Sequence, residues 1–427
     1  MADIAVIGAG YVGLTTGTCL AHLGHNVTIA DIDEIKVQKL NEGEVPIFEP
    51  GLSELLVQGI ENGNLKFVVG AVGACRNATF HFLCLPTPPN PDGSTNMEYF
   101  SSAIEEIKDI LPPNSVIVNK STLPVGTASQ LKKQIQRTDV EIVSNPEFLS
   151  EGNAVQDFLH PSRIVIGAES QEAATRVAAL FSGIDATNQI TGTASAELIK
   201  HTANAFLAMK LTFINEIATL CELVGANVLD VAEGIGYDPR IGSTYLRPGP
   251  GWGGSCFPKD SASLLQTANK AGFDFELLEK AITLNQTHLQ RTAQKVIEAL
   301  PEGKELEKSK IAVLGLTFKA GTDDLRSSPS LAVIEQLLDL NAHVSAYDPM
   351  VNLPIEDMSK LEITSTAYEA ANNADALVIL TEWQEFADLN YERIHEAMCH
   401  PVVVDARNLL NPQDLEQQGF QYIGLGR

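Results

Sequence analysis

Basic residues are scarce in this sequence and long apolar runs are missing, and both absences exclude classes of protein. Lysine and arginine together number 29 against 54 aspartate and glutamate residues, which gives a formal net charge of −25. A surface this acidic repels nucleic acid and anionic lipid, so we expect neither as a partner. No uncharged apolar run approaches the roughly 20 residues that a membrane-spanning helix needs. The first strand follows Met1 almost directly, without a basic segment or a cleavage site, so we expect a cytoplasmic protein without a signal peptide.

Cysteine is also sparse, with six residues at positions 19, 75, 84, 221, 256 and 399. They show no short paired spacing, so the sequence favours reduced thiols over a disulfide framework or a metal site. We expect all of them except Cys256 to be small buried apolar residues.

The chain of 427 residues is too long for a single hydrophobic core. Its first part alternates short apolar segments with amphipathic stretches, which is typical of a parallel sheet with helices on both faces. We predict a helix over residues 12–23 and strands over residues 4–7, 25–31, 80–85, 116–119, 142–143 and 164–166.

The middle of the chain has the apolar spacing of helices. From about residue 191 to 231 apolar side chains recur at helical spacing without a proline, which predicts an unusually long helix. A second helical region follows from about residue 260 to 300. After a polar segment at 301–310, residues 311–315, 343–348 and 376–380 repeat the apolar pattern of the first strands.

These patterns predict an α/β fold with two Rossmann-like, doubly wound parallel-sheet domains joined by a central helical domain that contains the long helix. We place the N-terminal Rossmann domain at residues 1–190, the central domain at 191–300 and the C-terminal Rossmann-like domain at 301–427. Open parallel sheets bind ligands outside the carboxyl ends of their strands, so reactive residues are expected there.

A glycine motif links the first strand to the first helix. Gly8-Ala9-Gly10-Tyr11-Val12-Gly13 has the Gly-x-Gly-x-x-Gly spacing. In this motif the first glycine permits a tight turn, the second lets a pyrophosphate approach, and the third allows close packing. Asp31 ends the second strand, where an acid binds the ribose hydroxyls and repels a 2'-phosphate. The motif therefore predicts NAD as cofactor, held by Gly8, Gly10, Tyr11, Val12, Gly13 and Asp31, whereas a purely structural turn leaves Asp31 unexplained.

The C-terminal module lacks the full motif, because Leu316-Thr317-Phe318-Lys319 follows Gly315. We expect no second dinucleotide there. Lys319 and Arg326 stand close to the end of that strand, where they can bind a phosphate or a sugar. Solvated loop cations would have the same sequence pattern.

The segment Gly251-Trp252-Gly253-Gly254-Ser255-Cys256-Phe257-Pro258-Lys259-Asp260 is the most informative in the chain. Its glycines let the backbone approach a ligand closely. Cys256 stands immediately before a predicted helix, and both the helix N-terminus and Lys259 would favour its thiolate. A structural cysteine usually lies in an apolar run, which this one does not, so we predict a nucleophile.

Two further pairs of polar residues stand where chemistry can occur. Lys200 and Asn204 share a face of the long helix and can stabilise an oxyanion, although a lysine that reaches solvent beside an asparagine fits equally well. Glu147 and Glu151 follow a strand, where either can act as a general base or bind a ribose. The alternative is that these carboxylates cap a surface helix.

Taken together, these motifs resemble those of the UDP-glucose/GDP-mannose dehydrogenase family, on its UDP-glucose side. The likeness extends over essentially the whole chain. Its most specific parts are Pro46-Ile47-Phe48-Glu49-Pro50-Gly51-Leu52, Lys120-Ser121-Thr122-Leu123-Pro124-Val125, Asn145-Pro146-Glu147-Phe148-Leu149-Ser150-Glu151-Gly152 and the Gly253–Asp260 string. The resemblance implies NAD-dependent oxidation of UDP-glucose to UDP-glucuronate by a homodimer whose core is the long central helix. It also implies that Cys256 holds the half-oxidised sugar as a thiohemiacetal and then a thioester, with two NAD reduced per sugar.

The resemblance assigns roles to matching positions. For catalysis it implies Cys256 as nucleophile, Asp260 as its acid–base neighbour, Glu147 as general base, Lys200 and Asn204 at the oxyanion, and Thr122 placing a water. For the cofactor it implies contacts from Asp31, Lys36, Thr87, Thr122, Glu151, Lys259 and Arg326. For the substrate it implies Glu147, Phe148, Leu149, Glu151, Lys200, Asn204, Arg240, Tyr245, Arg247, Gly249, Gly253, Phe318, Lys319 and Arg407, with Arg240 reaching the site of a partner subunit.

The sequence departs from the family pattern in two places. Pro86-Thr87-Pro88-Pro89 stands where relatives often have Asn-Thr-Pro-Thr, and Trp252 adds bulk beside the glycine loop. Three alternatives stay open: the same oxidation of GDP-mannose or a UDP-N-acetylhexosamine, a two-electron 3-hydroxyacid dehydrogenase, and a non-catalytic NAD-binding sensor. A hydroxyacid dehydrogenase has no use for Cys256, and a sensor has none for Cys256 together with Lys200, Asn204 and Glu147.

Overall fold

The elements of the chain fall into two compact units. The computed structural model describes residues 1–355 and 358–427. The first unit comprises Met1–Ala203 and Ala262–Phe273, and the second comprises Asn204–Ser261 and Asp274–Arg427. Each unit contains one sheet built mainly or wholly from parallel strands.

The sheet of the first unit has eight strands in the order β3-β2-β1-β4-β5-β6-β7-β8 among the described residues. These are β1 (Asp3–Ile7), β2 (Asn26–Asp31), β3 (Leu65–Val69), β4 (Phe80–Leu83), β5 (Val116–Asn119), β6 (Glu141–Ser144), β7 (Arg163–Ala168) and β8 (Thr187–Thr191). Neighbouring strands are parallel except β6 and β7, which run antiparallel. The central strands β4 and β5 are buried along their whole length, which explains their continuous apolar sequence.

Helices cover both faces of this sheet. They are α1 (Tyr11–His22), α2 (Glu34–Asn41), α3 (Leu52–Glu61), α4 (Ala71–Cys75), α5 (Glu98–Ile107), α6 (Thr127–Ile135), α7 (Ala154–Leu159) and α8 (Gln171–Ala178), followed by a short 3-10 helix at Ala179–Phe181. Val6 packs in one hydrophobic cluster with Leu14, and Ile7 packs in another with Ile104. Because successive strand residues point to opposite faces, the two clusters lie on the two sides of the sheet.

The middle of the chain folds into α9 (Thr193–Val224), α10 (Val228–Gly236), α11 (Phe257–Lys270) and α12 (Glu276–Glu298). The 32 residues of α9 confirm the long helix. Its predicted extension to residue 231 is wrong, because Gly225 has a φ of +74° and the side chain of Asn227 accepts a hydrogen bond of 3.0 Å from the Leu229 N–H. A left-handed glycine ends a helix and an asparagine cap begins the next one.

The sheet of the second unit has six strands in the order β11-β10-β9-β12-β13-β14 within the described residues. They are β9 (Lys310–Leu314), β10 (His343–Tyr347), β11 (Leu361–Ile363), β12 (Ala376–Ile379), β13 (Val402–Asp405) and β14 (Gln421–Gly424), after a 3-10 helix at Leu306–Lys308. Its helices are α13 (Pro329–Asp339), α14 (Ala367–Ala371), α15 (Gln384–Ala387), α16 (Tyr391–Ala397) and α17 (Pro412–Gln417). All pairs are parallel. The order repeats that of β1 to β6 and is the Rossmann order, so two doubly wound sheets are confirmed.

Predicted strands agree with observed ones to within one or two residues at each end. The strand β4 stops at Leu83 and not at residue 85, because the Leu85 N–H donates to the Ser121 hydroxyl at 2.8 Å and leaves the ladder. Among the helices of the described residues, none is long and apolar enough to cross a bilayer.

Candidate active site

The turn after β1 has the geometry that a dinucleotide-binding turn requires. Gly8 has a φ of +101°, and a Cβ there would lie 2.4 Å from the carbonyl oxygen of Cys84. A Cβ at Gly13 would lie 1.8 Å from the Gly8 oxygen, whereas a Cβ at Gly10 would meet nothing within 4 Å. Packing therefore requires the first and third glycines, and the second faces the open space that a pyrophosphate needs.

Asp31, at the end of β2, presents an ionised carboxylate. Its Oδ2 accepts a hydrogen bond from the Ala9 N–H at 2.8 Å and pairs with Lys36 Nζ at 3.2 Å, and its Oδ1 accepts from the Asp33 N–H at 3.1 Å. Burial acts to raise the pKa of Asp31, but the two backbone donors and the Lys36 charge prevail and lower that pKa. An ionised acceptor at this position fits the ribose hydroxyls of NAD, with the glycine turn left for the pyrophosphate.

The second sheet repeats the turn but buries its acid more deeply. Gly315 has a φ of +100°, like Gly8, and a Cβ there would lie 1.9 Å from the Thr381 hydroxyl. Asp348, the counterpart of Asp31, is buried, and its Oδ2 accepts from the Leu316 N–H at 2.7 Å and from the Thr317 N–H at 3.2 Å. The Asp348 carboxylate therefore stabilises the turn that follows β9.

In the first unit, four predicted site residues lie around one buried ion pair. Lys200 Nζ is 2.8 Å from Glu147 Oε1, and the two side chains are 4% and 6% exposed. The other oxygen, Oε2, accepts from the Leu149 N–H at 2.6 Å, and the ammonium lies 5.6 Å from the Phe148 ring centroid. This burial excludes a Lys200 side chain that reaches solvent and a Glu147 carboxylate that caps a surface helix.

Glu197 is a buried acid that the sequence analysis missed, three residues before Lys200 on α9. Its carboxylate accepts from the Gly126 N–H at 2.6 Å and the Ala128 N–H at 2.9 Å, and so caps α6, which has no side-chain cap of its own. Burial raises the pKa of Glu197. Glu197, Lys200 and Thr122 line one cavity of about 10 Å³. An acid one helical turn from Lys200 was the only sequence signal for this residue.

Lys120 is a second missed residue. It is 5% exposed, donates to Asn145 Oδ1 at 3.1 Å and lies 5.8 Å from the ring centroids of both Phe158 and Phe181. Burial lowers the pKa of Lys120 to about 8, although the carboxylate of Glu147 acts in the opposite direction. Because Asn145 stands two residues before Glu147, Lys120 fixes the loop that carries the ion pair.

In the second unit, Cys256 directly precedes α11 and is half-buried. Its Sγ lies 3.6 Å from the Ser255 hydroxyl oxygen. One turn later, the fully buried Asp260 accepts from Asn204 Nδ2 at 2.6 Å and pairs with Lys259 Nζ at 2.6 Å. The structure thus brings Asp260, Asn204 and Lys259 together and places Asp260 on the same helix start as the thiol.

The glycine loop before Cys256 lies against the loops that follow β9 and β13 in the second unit. A Cβ at Gly249 would lie 2.8 Å from Arg407 Nη1, and one at Gly253 would lie 2.0 Å from the Ser327 oxygen. Arg407 also donates to the Phe318 carbonyl at 3.3 Å. Four predicted substrate residues, Gly249, Gly253, Phe318 and Arg407, are therefore neighbours within the second unit.

Trp252, the unusual residue of this loop, points into the helical part of the second unit. Its indole N–H donates to the Thr212 hydroxyl on α9 at 2.8 Å, and its backbone N–H donates to Asn285 Oδ1 on α12 at 2.9 Å. The side chain is buried. The indole therefore anchors the loop to α9, and the backbone of the same residue anchors it to α12.

The remaining predicted residues have varied surroundings. Arg240 pairs with Asp238 at 2.6 Å and is 87% exposed, and Arg326 pairs with Asp324 at 2.7 Å and is 67% exposed. Tyr245 has a φ of +62° and lies 6.1 Å, centroid to centroid, from the Phe257 ring. Thr87 is buried, Glu151 and Lys319 are half-buried, and Arg247 is exposed.

The cysteines differ from expectation at one position. Cys19, Cys75, Cys84 and Cys221 are buried, and burial raises the pKa of the first three to about 12. Cys399 is exposed, so its prediction as a buried residue is wrong. It lies between α16 and β13, where the chain turns over the surface.

Comparison with known proteins relates the whole chain to one family. Models of the UDP-glucose/GDP-mannose dehydrogenase family match residues 2–185 (NAD binding domain), 194–287 (central domain) and 312–412 (UDP binding domain). The UDP-glucose 6-dehydrogenase of Rhizobium meliloti (strain 1021) is 44% identical over 438 residues, with 99% of each chain covered.

Two solved structures are similar over nearly the full length. The UDP-glucose dehydrogenase of the hyperthermophilic archaeon Pyrobaculum islandicum has a TM-score of 0.90 at 31% identity and covers 100% of this chain and 98% of its own. The UDP-D-ManNAc dehydrogenase of Pyrococcus horikoshii has a TM-score of 0.89 at 29% identity, with 99% of each chain covered.

The glycine turn, the carboxylate of Asp31 and the match to an NAD binding domain define an NAD-dependent oxidoreductase with NAD as its cofactor. The full-length similarity to a UDP-glucose 6-dehydrogenase favours an enzyme over the non-catalytic sensor. With three consecutive domain models matched and a full-length relative at 44% identity, the chain belongs to the UDP-glucose/GDP-mannose dehydrogenase family. The resemblance found in the sequence motifs is confirmed.

Proposed function

We propose that this enzyme oxidises the C6 primary alcohol of UDP-glucose to the carboxylate of UDP-glucuronate. The observation that carries the proposal is the half-buried Cys256 at the start of α11, with the Asp260–Asn204 hydrogen bond of 2.6 Å one turn further on. Oxidation of an alcohol to a ketone needs no nucleophile, whereas oxidation to an acid without release of the aldehyde needs covalent capture. The choice of UDP-glucose is supported by the named activity of the 44% identical relative.

The reaction removes four electrons from C6 in two steps. In the first, a base takes the hydroxyl proton as a hydride leaves C6, which produces an aldehyde. The Cys256 thiolate adds to the aldehyde carbon, and the carbonyl electron pair moves to oxygen to form a thiohemiacetal. Loss of a second hydride leaves a thioester, and attack by water breaks the C–S bond, which frees the carboxylate and the thiol. Bound NAD supplies the hydride acceptor for both departures, so two NAD are reduced per sugar.

The buried polar residues have separate roles in proton transfer and in charge stabilisation. Glu147 acts as the general base, and Lys200 at 2.8 Å orients its carboxylate. Lys200 and Asn204 are one turn apart on α9 and stabilise the oxyanion of the thiohemiacetal. Asp260 and Thr122 hold the water that attacks the thioester. Hydrogen bonds fix the side chains of Glu147, Asn204 and Asp260 before substrate arrives, which favours preorganised catalysis.

The glycine loop and the C-terminal sheet bind the nucleotide sugar. Gly249 lets Arg407 approach the loop backbone, Gly254 lets the Phe318 ring do the same, and Lys319 adds a cation to a chain that is otherwise strongly acidic. The UDP binding domain model covers residues 312–412, which include these three side chains. The other proposed substrate contacts are Phe148, Leu149, Glu151, Tyr245, Arg247 and, from a partner subunit, Arg240. The other proposed NAD contacts are Lys36, Thr87, Thr122, Glu151, Lys259 and Arg326.

The rival substrates are GDP-mannose and a UDP-N-acetylhexosamine. The second is favoured by the similarity to the Pyrococcus horikoshii UDP-D-ManNAc dehydrogenase, although its identity of 29% is lower than that of the UDP-glucose enzymes. All these substrates share the C6 alcohol and the same chemistry. Only turnover with each sugar separates them.

The test is the number of NADH formed per sugar consumed across a panel of UDP-glucose, UDP-N-acetylglucosamine, UDP-N-acetylmannosamine and GDP-mannose. We expect two NADH per UDP-glucose and a kcat/KM at least tenfold lower for the others, since a misplaced acetamido group or base costs on the order of 1–3 kcal/mol. One NADH per sugar would refute the four-electron scheme. A higher kcat/KM for another sugar would refute the substrate.

The Cys256→Ala variant tests the covalent step, with Cys399→Ala as the matched control because Cys399 is exposed and remote in sequence from the glycine loop. Cys256→Ala should form no UDP-glucuronate, while Cys399→Ala should retain native turnover. Unchanged acid formation by Cys256→Ala would remove the thiol from the mechanism.

We further propose that the enzyme is a homodimer joined through α9. Phe206, Phe213 and Leu220 are 57%, 54% and 51% exposed and recur every seven residues, so they form one apolar stripe on that helix. A monomer rarely leaves such a stripe in water. Light scattering should give twice the mass of one chain, and Phe213→Glu should halve it. A monomeric native protein would exclude the dimer.

The three-domain division at 1–190, 191–300 and 301–427 stays a proposal, supported by the three consecutive family models. The cytoplasmic location also stays a prediction, which cell fractionation with an antibody to the chain would check.

A further inference from the structure

Glu49 is a buried carboxylate that neither the catalytic scheme nor the glycine motif uses. It lies in the loop between α2 and α3 and is 6% exposed. A carboxylate is rarely buried to this extent unless its oxygens are hydrogen-bonded. The groups that bond to it therefore indicate what it does.

Those groups belong to two segments far apart in sequence. The Glu49 Oε2 accepts a hydrogen bond from the Tyr11 hydroxyl and one of 2.8 Å from the Gly152 N–H. The Oε1 accepts from the Val155 N–H at 3.4 Å. The Gly152 N–H also lies 2.7 Å from the Tyr11 hydroxyl oxygen, so Glu49, Tyr11 and Gly152 form a closed triangle.

Both segments matter for NAD binding. Tyr11 is the first residue of α1 and follows Gly10, the glycine that faces open space. A hydrogen bond to the Tyr11 hydroxyl therefore restrains the start of that helix. Gly152 has a φ of +80° and follows Glu151, in the loop that also carries Glu147. Tyr11 and Gly152 are about 140 residues apart in the sequence. Both donate to the same carboxylate, and hydrogen bonds to a charged acceptor are strong.

We propose that Glu49 is a positioning residue for NAD, which holds the start of α1 and the 147–152 loop in one fixed arrangement. The glycine turn can accept a pyrophosphate only if α1 keeps its direction, and the 147–152 loop forms the neighbouring wall within the first unit. Glu49 itself touches neither the cofactor nor the substrate in this role. It acts through Tyr11 and Gly152.

The test is NADH affinity measured by the fluorescence of NADH itself, for Glu49→Gln, Tyr11→Phe and the double variant. Glu54→Gln, an exposed acid on the adjacent helix α3, is the matched control. We expect Glu49→Gln to raise the Kd about tenfold, as loss of a hydrogen bond to a charged group does, and Tyr11→Phe to raise it by a smaller factor. The double variant should be no worse than Glu49→Gln alone, because both changes break the same triangle.

Two further readouts separate positioning from folding. Glu49→Gln should raise the KM for NAD more than it lowers kcat, and the Kd is compared at a temperature where calorimetry shows every variant folded. A Kd for folded Glu49→Gln within twofold of the native value would overturn the proposal, and so would additive effects in the double variant. If Glu49→Gln does not fold, Tyr11→Phe alone decides, because an unchanged Kd there refutes the role. The titration contains no nucleotide sugar, so an error in the proposed substrate leaves its result unchanged.

Discussion

The buried pair of Lys200 and Glu147 permits a prediction in which the two partners are not equivalent. Lys200 Nζ lies 2.8 Å from Glu147 Oε1, and both side chains are almost fully buried. Lys120 is also buried, and the carboxylate of Glu147 acts to raise the pKa of Lys120. The Lys120 ammonium and the Glu147 carboxylate therefore attract each other. The Glu147 carboxylate therefore stabilises two buried ammonium groups, those of Lys200 and Lys120.

The magnitude follows from this asymmetry. Removing one partner of a buried ion pair costs about 3–5 kcal/mol. Lys200→Met leaves Glu147 beside Lys120, so we expect about 3 kcal/mol, whereas Glu147→Leu leaves two buried ammonium groups without this carboxylate, so we expect about 5 kcal/mol. A unit of roughly 200 residues loses about 3 °C of Tm per kcal/mol. The expected decreases in Tm are therefore about 9 °C and about 15 °C.

Calorimetry is the suitable assay, because both tryptophans, Trp252 and Trp383, belong to the second unit and do not report on the first. The double variant Lys200→Met with Glu147→Leu should recover only part of the Tm lost by Glu147→Leu, since an apolar pair of similar volume replaces the ion pair while Lys120 still lacks the carboxylate. It should nevertheless remain inactive. A Tm decrease for Glu147→Leu equal to or smaller than that for Lys200→Met would refute the reasoning.

Three other predictions concern pH, the glycine turn and a helix cap. The unfolded chain holds the Lys120 proton up to a pKa near 10.5 and the native protein only to about 8, so between these pH values the unfolded state binds more protons. Native stability relative to Lys120→Met should therefore rise from pH 8 to pH 10.5 in calorimetry, and a fall would contradict the buried lysine. Gly13→Ala should lower Tm, because its Cβ would lie 1.8 Å from the Gly8 oxygen. Gly10→Ala, whose Cβ would meet nothing within 4 Å, should keep the native Tm and weaken NADH binding. Equal Tm values for the two variants would exclude the clash. Asn227→Ala removes the cap of α10 and should cost about 1 kcal/mol in urea unfolding, while a neutral result would mean that the cap bond of 3.0 Å is not used.

Local sequence patterns were sufficient for the fold class, for the cofactor and for most strands, but not for β3, β8, β11, β13 and β14, which the sequence analysis did not predict. The glycine spacing from Gly8 to Gly13 predicts both the turn and NAD, because the tight turn, the open approach at Gly10 and the contact of Gly13 with the Gly8 oxygen all lie within one short segment. The repeat of the apolar pattern after residue 310 predicts the second sheet for the same reason. Cys256 could be identified because a thiol at a helix start, outside an apolar run, is a local feature.

Tertiary structure alone decided what the buried charges contact. Glu49, Lys120 and Glu197 look like ordinary surface residues in the sequence, yet each is buried and bonded to groups tens of residues away. Their burial depends on loops meeting at the carboxyl ends of strands, which no window of neighbouring residues encodes. The end of α9 at Gly225 shows the same division. The glycine in the sequence indicates where a helix can stop, but only its φ of +74° shows that α9 ends there. The sequence by itself determined the periodicity and the turn chemistry of this protein, and packing in three dimensions decided the partners, because hydrogen bonds and ion pairs depend on distance in space and not along the chain.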